Sequence, residues 1–285
     1  MPDTALATVP RMAALDLPAQ WPVGAVAAGF ADADGRVETT GDPARRWRVA
    51  SITKLLTATA ILVAVEEGTV ALEEPEPAVP GATVRHLLAH TSGLPFEGSA
   101  PVAEPGRRRI YSNTGFEILG AHLAERAAMP FADYLAGAVL EPLELRATGL
   151  DDGSPAAGVW SSLDDILRFG RELLAPTLVA AATFAEATTV QFPGLAGILP
   201  GFGRHDPCDW GLGFELRDHK QPHWTGRRNS PATFGHFGGA GTFLWIDPVA
   251  GVACAALTDR GFDSWAAEVW PPFSDAVLAE LDACR

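Results

Sequence analysis

The sequence predicts an α+β fold: an antiparallel sheet flanked by helices, with an inserted all-α lobe. Three observations lead to this prediction. Segments of β character lie near both ends of the chain, a series of helical segments separates them, and one more helical segment closes the chain. Strands from both chain ends that enclose a helical block are typical of a sheet that carries an inserted lobe.

The N-terminal edge of the sheet is predicted from residues 23–39. Residues 23–30 (VGAVAAGF) are small and apolar, and Asp34-Gly35 follows as a hairpin signal. Residues 36–39 would then begin the return strand. We therefore expect this part of the chain to form an antiparallel pair.

The helical block begins with residues 52–67 (ITKLLTATAILVAVEE), which are apolar nearly all round. This pattern predicts a central helix buried on most sides, ended by Gly68. Two segments rich in Gly and Pro are predicted to be irregular, namely 97–110 and 190–207. Further helices are predicted at 84–90 after a Thr83 cap, at 115–126, at 131–139 and at 162–174.

The chain returns to β character after residue 210. Strands are predicted at 211–217, 243–247 and 251–258, and a closing helix at 263–283 is expected to be interrupted early by Pro271-Pro272. We expect residues 1–50 and 205–285 to form the sheet lobe and 51–204 the mainly helical lobe. A cleft between two lobes is a common place for an active site.

Composition limits the classes of function. The 285 residues carry a net charge of −14, which disfavours a nucleic-acid partner because an acidic surface repels phosphate. The start, MPDTALATVP, has neither the basic nor the apolar region of a signal peptide. The longest apolar stretch, 55–65, is too short to span a bilayer. These features predict a cytoplasmic enzyme with no membrane partner.

Three cysteines, Cys208, Cys254 and Cys284, show no framework spacing and are predicted to be free thiols in a reducing compartment. A four-ligand zinc set is conceivable from His205, Cys208, His219 and His223, and a smaller one from His86 and His90. We favour structural histidines at 86 and 90, since His86 is not followed by the Glu of a His-Glu-x-x-His motif, and a loop that is rich in histidine by chance for the other set. No metal and no cofactor are therefore predicted.

Ser51 and Lys54 form the first candidate catalytic motif, Ser-x-x-Lys. On a helix, residues at this spacing project from one face. A serine hydroxyl is a poor nucleophile unless a base lies within hydrogen-bond distance. Lys54 would be that base if burial lowers the pKa of its amine. The alternative is a capping serine beside an exposed lysine.

Tyr111 and Asn113 form the second motif, Tyr-x-Asn. Tyr111 could relay a proton between nucleophile and leaving group if a nearby ammonium lowers its pKa. Asn113 could hold Lys54 and donate its amide to a substrate carbonyl. The alternative is a core-packed tyrosine beside an asparagine in a turn.

His236-Phe237-Gly238-Gly239 is the third motif, placed just before the predicted strand at 243–247. A strand edge with Gly238 and Gly239 lets a substrate approach the backbone. The N–H groups of Gly239 and Ser51 could together form an oxyanion hole. The alternative is a bulged edge strand with a surface histidine.

The three motifs in this order resemble the serine β-lactamase and penicillin-binding-protein superfamily, closest to its class C-like branch of esterases and D-amino-acid peptidases. The resemblance covers about residues 48 to 258. It is carried by the stretches RVASITKLLTATAIL, TVRHLLAHTSGLP, YSNTGFEILG, VWSSLDDILRFG and GHFGGAGTFLWIDP.

The resemblance implies a serine hydrolase that reacts through an acyl-enzyme without a metal. Ser51 would be acylated, with Lys54 as its base and Tyr111 as a proton relay that also assists deacylation. Asn113 would orient Lys54 and the substrate. The resemblance also implies that His236 stands where most relatives place Lys or His, and that Gly239 supplies an oxyanion N–H.

Phe237 departs from the pattern of lactam-recognising relatives, in which a hydroxyl residue commonly binds the substrate carboxylate. A phenyl ring cannot donate that hydrogen bond, so we expect a less polar ester or amide substrate. Alternatives are a β-lactamase or D-peptidase, an acyltransferase, and a non-catalytic binding or assembly module of the same fold.

Two further features are ambiguous. The run Arg107-Arg108-Arg109 could meet an anionic substrate or be a solvated loop. The tryptophans could line a pocket or the core, namely Trp160, Trp210, Trp224 and Trp245.

Overall fold

The computed structural model describes residues 12–283 of the chain. The segment MPDTALATVP and Cys284 lie outside the described residues. The strands are β1 Val26–Asp32, β2 Val37–Thr40, β3 Arg46–Arg48, β4 Trp160–Ser162, β5 Gly197–Leu199, β6 Gly203–His205, β7 Glu215–Leu216, β8 Phe234–Gly238, β9 Thr242–Asp247 and β10 Val252–Thr258.

The helices alternate with these strands. They are α1 Thr53–Glu66, α2 Val84–Leu88, α3 Asn113–Ala127, α4 Phe131–Leu135, α5 Leu163–Leu174, α6 Ala181–Ala187 and α7 Ser264–Ala283. Two 3-10 segments, Ala13–Gln20 and Ala50–Ile52, and one π-helical turn, Ala136–Leu140, complete the list of elements.

A six-stranded antiparallel sheet, ordered β2-β1-β10-β9-β8-β7, forms the frame of the molecule. It draws strands from both chain ends, with the helical segments α1 to α4 between them. This arrangement confirms the predicted α+β fold. Two small antiparallel pairs, β3 with β4 and β5 with β6, lie outside this sheet.

Both faces of the sheet are buried, each by a different apolar cluster. On β9, Leu244 and Ile246 belong to the cluster shared with α1, while Phe243 and Trp245 belong to the cluster shared with α7. Successive side chains of a strand point to opposite faces, so a strand covered on both sides is apolar throughout. This explains the uninterrupted apolar sequence of β9.

The predicted boundaries need four corrections. Residues 211–217 are a turn that leads into the two-residue strand β7, and residues 190–207, predicted irregular, contain the β5–β6 hairpin. The segment around His236 is a strand in its own right, β8, rather than the approach to one. The first residue of α3 is Asn113, because the Ser112 hydroxyl accepts a hydrogen bond from the Gly115 N–H at 3.0 Å and caps the helix.

The course of α7 also differs from the prediction, because this helix continues through Pro271 and Pro272. A proline removes one hydrogen bond from the helix interior, which leaves a carbonyl one turn earlier without its donor. Both prolines lie on the solvent side of α7, next to Ala267 and Glu268 in an open groove. Water can therefore satisfy the freed carbonyls, and the helix is not broken.

The predicted division into two lobes remains a prediction. Helix α5 falls within the range 51–204, yet it packs against β1, β9 and β10 of the sheet. Helix α1 packs on one face of the sheet, and the candidate site begins at its N-terminal end. Within residues 12–283, no helix combines the length and the apolar character that crossing a membrane requires.

Candidate active site

The turn before α1 presents Ser51. Ala50 has a φ of 47°, in the left-handed region that residues with a side chain rarely adopt, so the backbone is strained immediately before the serine. Val49, the residue before Ala50, is held by two hydrogen bonds. Its N–H donates to the Val159 carbonyl at 3.0 Å, and its carbonyl accepts from the Thr242 hydroxyl at 2.9 Å. These contacts tie the turn to the sheet and leave Ser51 half-buried.

Lys54 lies one helical turn beyond Ser51 and is completely buried. Its Nζ is 3.3 Å from the Ser51 hydroxyl oxygen, 2.7 Å from Asn113 Oδ1 and 2.9 Å from the Ala156 carbonyl oxygen. The spacing of serine and lysine on one helix face thus brings the two reactive atoms together, as the motif predicts.

Burial lowers the pKa of Lys54 to about 7, and the carboxylate of Glu117 opposes the shift only in part. A neutral amine has two N–H donors and one lone pair. Two carbonyl acceptors, those of Asn113 and Ala156, match the two donors. The lone pair is then directed at the Ser51 hydroxyl, which becomes the donor of that contact.

Tyr111 is buried beside the same two residues. Its ring centroid lies 4.8 Å from the Lys54 Nζ, and its hydroxyl, which is beside the Ser51 side chain, makes no full hydrogen bond with any residue between 12 and 283. Burial raises the pKa of Tyr111 well above its usual value, and the neighbouring Ser51 only reduces the rise. The lowered pKa on which the sequence analysis made the relay role conditional is therefore not found, and we expect Tyr111 to remain a neutral phenol.

Aromatic rings fix the orientation of Tyr111. The ring of His90 lies 4.7 Å from it, that of Trp210 5.7 Å, and that of His236 5.5 Å. His90 also accepts a hydrogen bond from the Ser112 N–H at its Nδ1, at 3.1 Å. The loop that delivers Tyr111 is thereby anchored to the end of α2.

Strand β8 forms the opposite wall of the site. The Nδ1 of His236 is 2.6 Å from the Phe237 carbonyl oxygen, which can only accept, so Nδ1 carries the hydrogen. Burial, reinforced by the nearby Lys54, lowers the pKa of His236 to about 3, and the ring is neutral. Its Nε2 is therefore a buried acceptor that no described residue satisfies.

Gly238 and Gly239 have different surroundings. A Cβ on Gly238 would lie 2.4 Å from the Val49 carbonyl oxygen and 2.5 Å from Thr242 Oγ1, so this glycine allows β8 to pack against the turn that holds Ser51. Gly239 lines the cavity in front of Ser51, and a Cβ there would face open space.

A cavity of about 140 Å³, which we call the inner pocket, opens in front of Ser51. Its wall is almost entirely apolar, and Ser51 and His236 are among the few polar residues that line it. Besides Ser51, Tyr111, His236, Phe237 and Gly239, its lining includes Phe96, Leu199, Pro200, Trp210, Glu215 and Phe262.

Sequence reasoning missed several of these residues. The Ala156 carbonyl contacts Lys54 through its backbone, and no side-chain motif signals such a contact. Phe96 and Phe262 lie in loops whose paths a sequence does not specify. Trp210 was one of four tryptophans proposed to line a pocket, and it does, whereas Trp224 and Trp245 are in the core.

The zinc candidates do not converge. Between residues 12 and 283, no group of three or more histidine, cysteine or acidic side chains is arranged to hold a metal ion. His223 contacts Glu215 Oε2 at 2.9 Å, while the side chain of His219 is exposed. Cys208 and Cys254 are buried free thiols.

An antiparallel sheet flanked by helices, with a Ser-x-x-Lys motif at the start of the central helix, defines a serine hydrolase fold. The chain belongs to the beta-lactamase family, whose model matches residues 4–278. Members of this family are serine hydrolases. The resemblance inferred from the three motifs is thereby confirmed.

A crystal structure of a beta-lactamase from Mycobacterium bovis is 50% identical, covers 94% of this chain and 99% of its own, and superposes with a TM-score of 0.92. Esterase EstB of Burkholderia gladioli is 23% identical over 89% of this chain and 86% of its own length. The D-alanyl-D-alanine-carboxypeptidase/endopeptidase AmpH of Escherichia coli is 31% identical over 35% of this chain. The matches to the first curated relatives span 30% and 36% of the lengths of those proteins.

Proposed function

We propose that this protein hydrolyses small esters or amides through an acyl-enzyme on Ser51. The single observation that carries the proposal is the environment of Lys54. Its amine is fully buried, has a pKa of about 7 and lies 3.3 Å from the Ser51 oxygen, while two carbonyls occupy its N–H groups. Such an amine is a base whose free lone pair faces the serine.

In the first half-reaction, Ser51 Oγ attacks the substrate carbonyl carbon and its proton passes to Lys54 Nζ. The negative charge that develops on the carbonyl oxygen is accepted by the N–H groups of Ser51 and Gly239. The tetrahedral intermediate then collapses, and the bond to the leaving alcohol or amine breaks. Tyr111 gives its phenolic proton to the leaving group and takes one from the Lys54 ammonium, so both return to their neutral forms.

In the second half-reaction, water takes the position of the leaving group. Its proton passes by way of Tyr111 to Lys54 as the oxygen attacks the acyl carbon. Collapse of this intermediate releases the carboxylic acid, and Ser51 recovers its proton from Lys54. A neutral, buried phenol suits this exchange, because it can donate and accept in one step without carrying charge.

The inner pocket favours an apolar substrate part. Phe237, Trp210 and Phe262 line it, and Phe237 stands where lactam-recognising relatives carry a hydroxyl. The esterase name of the Burkholderia gladioli relative is in keeping with this chemistry. We therefore place a short acyl ester or amide ahead of a β-lactam as substrate.

The test compares hydrolysis of p-nitrophenyl butyrate by wild type, Ser51→Ala and Ser230→Ala. Ser230 is a second half-buried serine, whose hydroxyl donates to Asp247, so it controls for the loss of a hydroxyl elsewhere. We expect Ser51→Ala to lose the activity and Ser230→Ala to keep it. Equal activity in all three proteins would contradict the mechanism, and inactivity of the wild type would favour a non-catalytic module.

A further inference from the structure

We propose that a second cavity beside the inner pocket binds an anionic group of the substrate. This inference rests on the proposed function and specifies its substrate class: an ester or amide that carries a carboxylate, phosphate or sulfate at some distance from the reacting carbonyl. The second cavity, which we call the outer pocket, has a volume of about 790 Å³.

The two pockets are continuous. Phe96, Tyr111 and Pro200 line both of them, so a molecule bound at Ser51 can extend past the Tyr111 ring into the outer pocket. The inner pocket accommodates the reacting carbonyl and a small apolar group. We therefore expect a larger part of the substrate to lie in the adjoining outer pocket.

The charge of the outer pocket is opposite to that of the chain. Arg107, Arg108, Arg109 and Arg204 line it, in a protein whose net charge is −14. Among residues 12–283, none of those that line it is acidic. A positive cleft concentrates anions locally, whereas the acidic remainder of the surface repels them.

Arg109 anchors the loop and is not available to a ligand. Its side chain is 3% exposed and donates to main-chain carbonyls, among them those of Cys208 at 3.0 Å and Gln191 at 2.6 Å. Its backbone N–H donates to the Ala196 carbonyl at 3.1 Å. The segment before Tyr111 is therefore fixed to the strand β5 region and is not a solvated loop.

Arg107 and Arg108 are the residues that remain free to bind. Both are exposed on the wall of the outer pocket, and neither guanidinium makes an ion pair or hydrogen bond with a residue in the described part of the chain. Arg204 differs, because it pairs with Asp206 at 3.0 Å. Two unpaired guanidinium groups on an anchored segment can chelate a carboxylate or a phosphate through charge-assisted hydrogen bonds.

The experiment measures kcat/KM for two matched pairs of esters. On the acyl side, mono-p-nitrophenyl glutarate carries a carboxylate and p-nitrophenyl butyrate does not. On the leaving-group side, the butyryl ester of 3-hydroxybenzoate is compared with that of 3-hydroxybenzamide. The two pairs distinguish an anion on the acyl part from an anion on the leaving group.

The variant is the double substitution Arg107→Gln and Arg108→Gln. Its control is Arg227→Gln with Arg228→Gln, an adjacent pair of exposed arginines whose replacement changes the net charge equally. We expect the first variant to lower kcat/KM for the anionic ester of one pair about 10- to 100-fold, the range of charged hydrogen bonds, with less than a twofold effect on the neutral ester. The control should change neither ester.

Two results would overturn the inference. Equal losses for the charged and uncharged ester of each pair would show that the arginines only support the loop, and unchanged rates for every ester would show that they bind no part of the substrate. Failure of the proposed function is distinguishable, since the wild type would then hydrolyse none of the four esters.

Discussion

The Lys54 amine shows how one residue acquires its chemistry from its surroundings. Its neighbours on α1 are apolar, and burial shifts its pKa from the usual 10.5 to about 7. His236, which lines the inner pocket, has a pKa of about 3, and burial raises the pKa of Tyr111 above the working range. Lys54 is therefore the group expected to titrate near neutral pH.

We predict that kcat/KM for a neutral ester rises with pH through about 7. The amine acts as a base only after it loses its proton, so activity is low below the pKa of Lys54 and reaches a plateau above it. Lys54→Met should lower the rate by about 10²- to 10⁴-fold and abolish the inflection. Initial rates of wild type and Lys54→Met between pH 5 and 9, corrected for spontaneous hydrolysis, measure the pH profile and the loss of rate. An inflection that persists in Lys54→Met would contradict the assignment.

The chain has two tyrosines, and they form a matched pair of variants. The Tyr111 hydroxyl lies at the site, whereas the Tyr134 hydroxyl donates to Oε2 of Glu67, the residue that follows α1, at 2.6 Å. Tyr111→Phe removes the proposed relay and should lower kcat by about 10²-fold or more, with little loss of stability because its hydroxyl makes no full hydrogen bond.

Tyr134→Phe is the control for this substitution. It removes a hydrogen bond worth about 1 kcal/mol, so we expect a lower melting temperature with kcat unchanged. Steady-state kinetics and thermal unfolding of the two variants measure the difference. Full activity of Tyr111→Phe would exclude the phenol from the proton path.

The proximity of the proposed catalytic side chains was the easiest part of the candidate site to predict from sequence. Ser51, Lys54, Tyr111 and Asn113 lie in short motifs, and the structure brings their side chains together within hydrogen-bond or van der Waals distance. The pKa of Tyr111 is raised, whereas the sequence analysis made its relay role conditional on a lowered pKa. Its shift depends on how completely the ring is buried, which a sequence does not show.

At the scale of elements, β8 and the turn before α1 are joined by very close packing. Gly238 lies against the Val49 carbonyl and the Thr242 side chain, and the Thr242 hydroxyl donates to that same carbonyl. The wall that carries His236 and Gly239 is therefore in direct contact with the backbone that presents Ser51. The relative position of Ser51 and Gly239, the proposed nucleophile and oxyanion donor, depends on this contact.

Gly238→Ala is expected to separate the two elements. The added Cβ would meet backbone atoms that cannot move independently, so we predict a loss of about 1–3 kcal/mol in the free energy of unfolding. A displacement of about 1 Å at the site can reduce activity about 10²-fold. Urea unfolding and ester hydrolysis measure the two effects.

Gly137→Ala is the matched control, since a Cβ at Gly137 has no neighbouring atom within 4 Å in the described structure. This variant should be equally or more stable, by up to about 1 kcal/mol, and fully active. A Gly238→Ala protein with unchanged activity would show that the close approach of β8 is not needed.

The ends of helices and strands were harder to predict than the motifs, because tertiary contacts determine where some of these elements begin and end. Strand β8 contains two glycines and a histidine, so its sequence lacks the β-branched pattern of a strand, and its pairing with β9 supplies the missing information. Helix α7 keeps its prolines because they face solvent. In both cases the neighbours, rather than local propensity, determine the structure.

Across the whole molecule, the sheet separates two apolar cores, one with α1 and one with α7. The order of β and helical segments was enough to predict this fold class. The outer pocket could not be predicted, because it brings together residues from the segment before Tyr111 and from the β5–β6 hairpin, about 90 positions apart in sequence. The proposed substrate class depends on that long-range contact.

The central claim is that Ser51 becomes covalently acylated. The most direct measurement is mass spectrometry of the protein after reaction with a serine-directed fluorophosphonate, followed by peptide mapping, for wild type and Ser51→Ala. We predict one adduct per chain, located on Ser51 and absent from Ser51→Ala, with labelling slowed in Lys54→Met. An adduct on another residue, or none in a protein that still hydrolyses esters, would contradict the account.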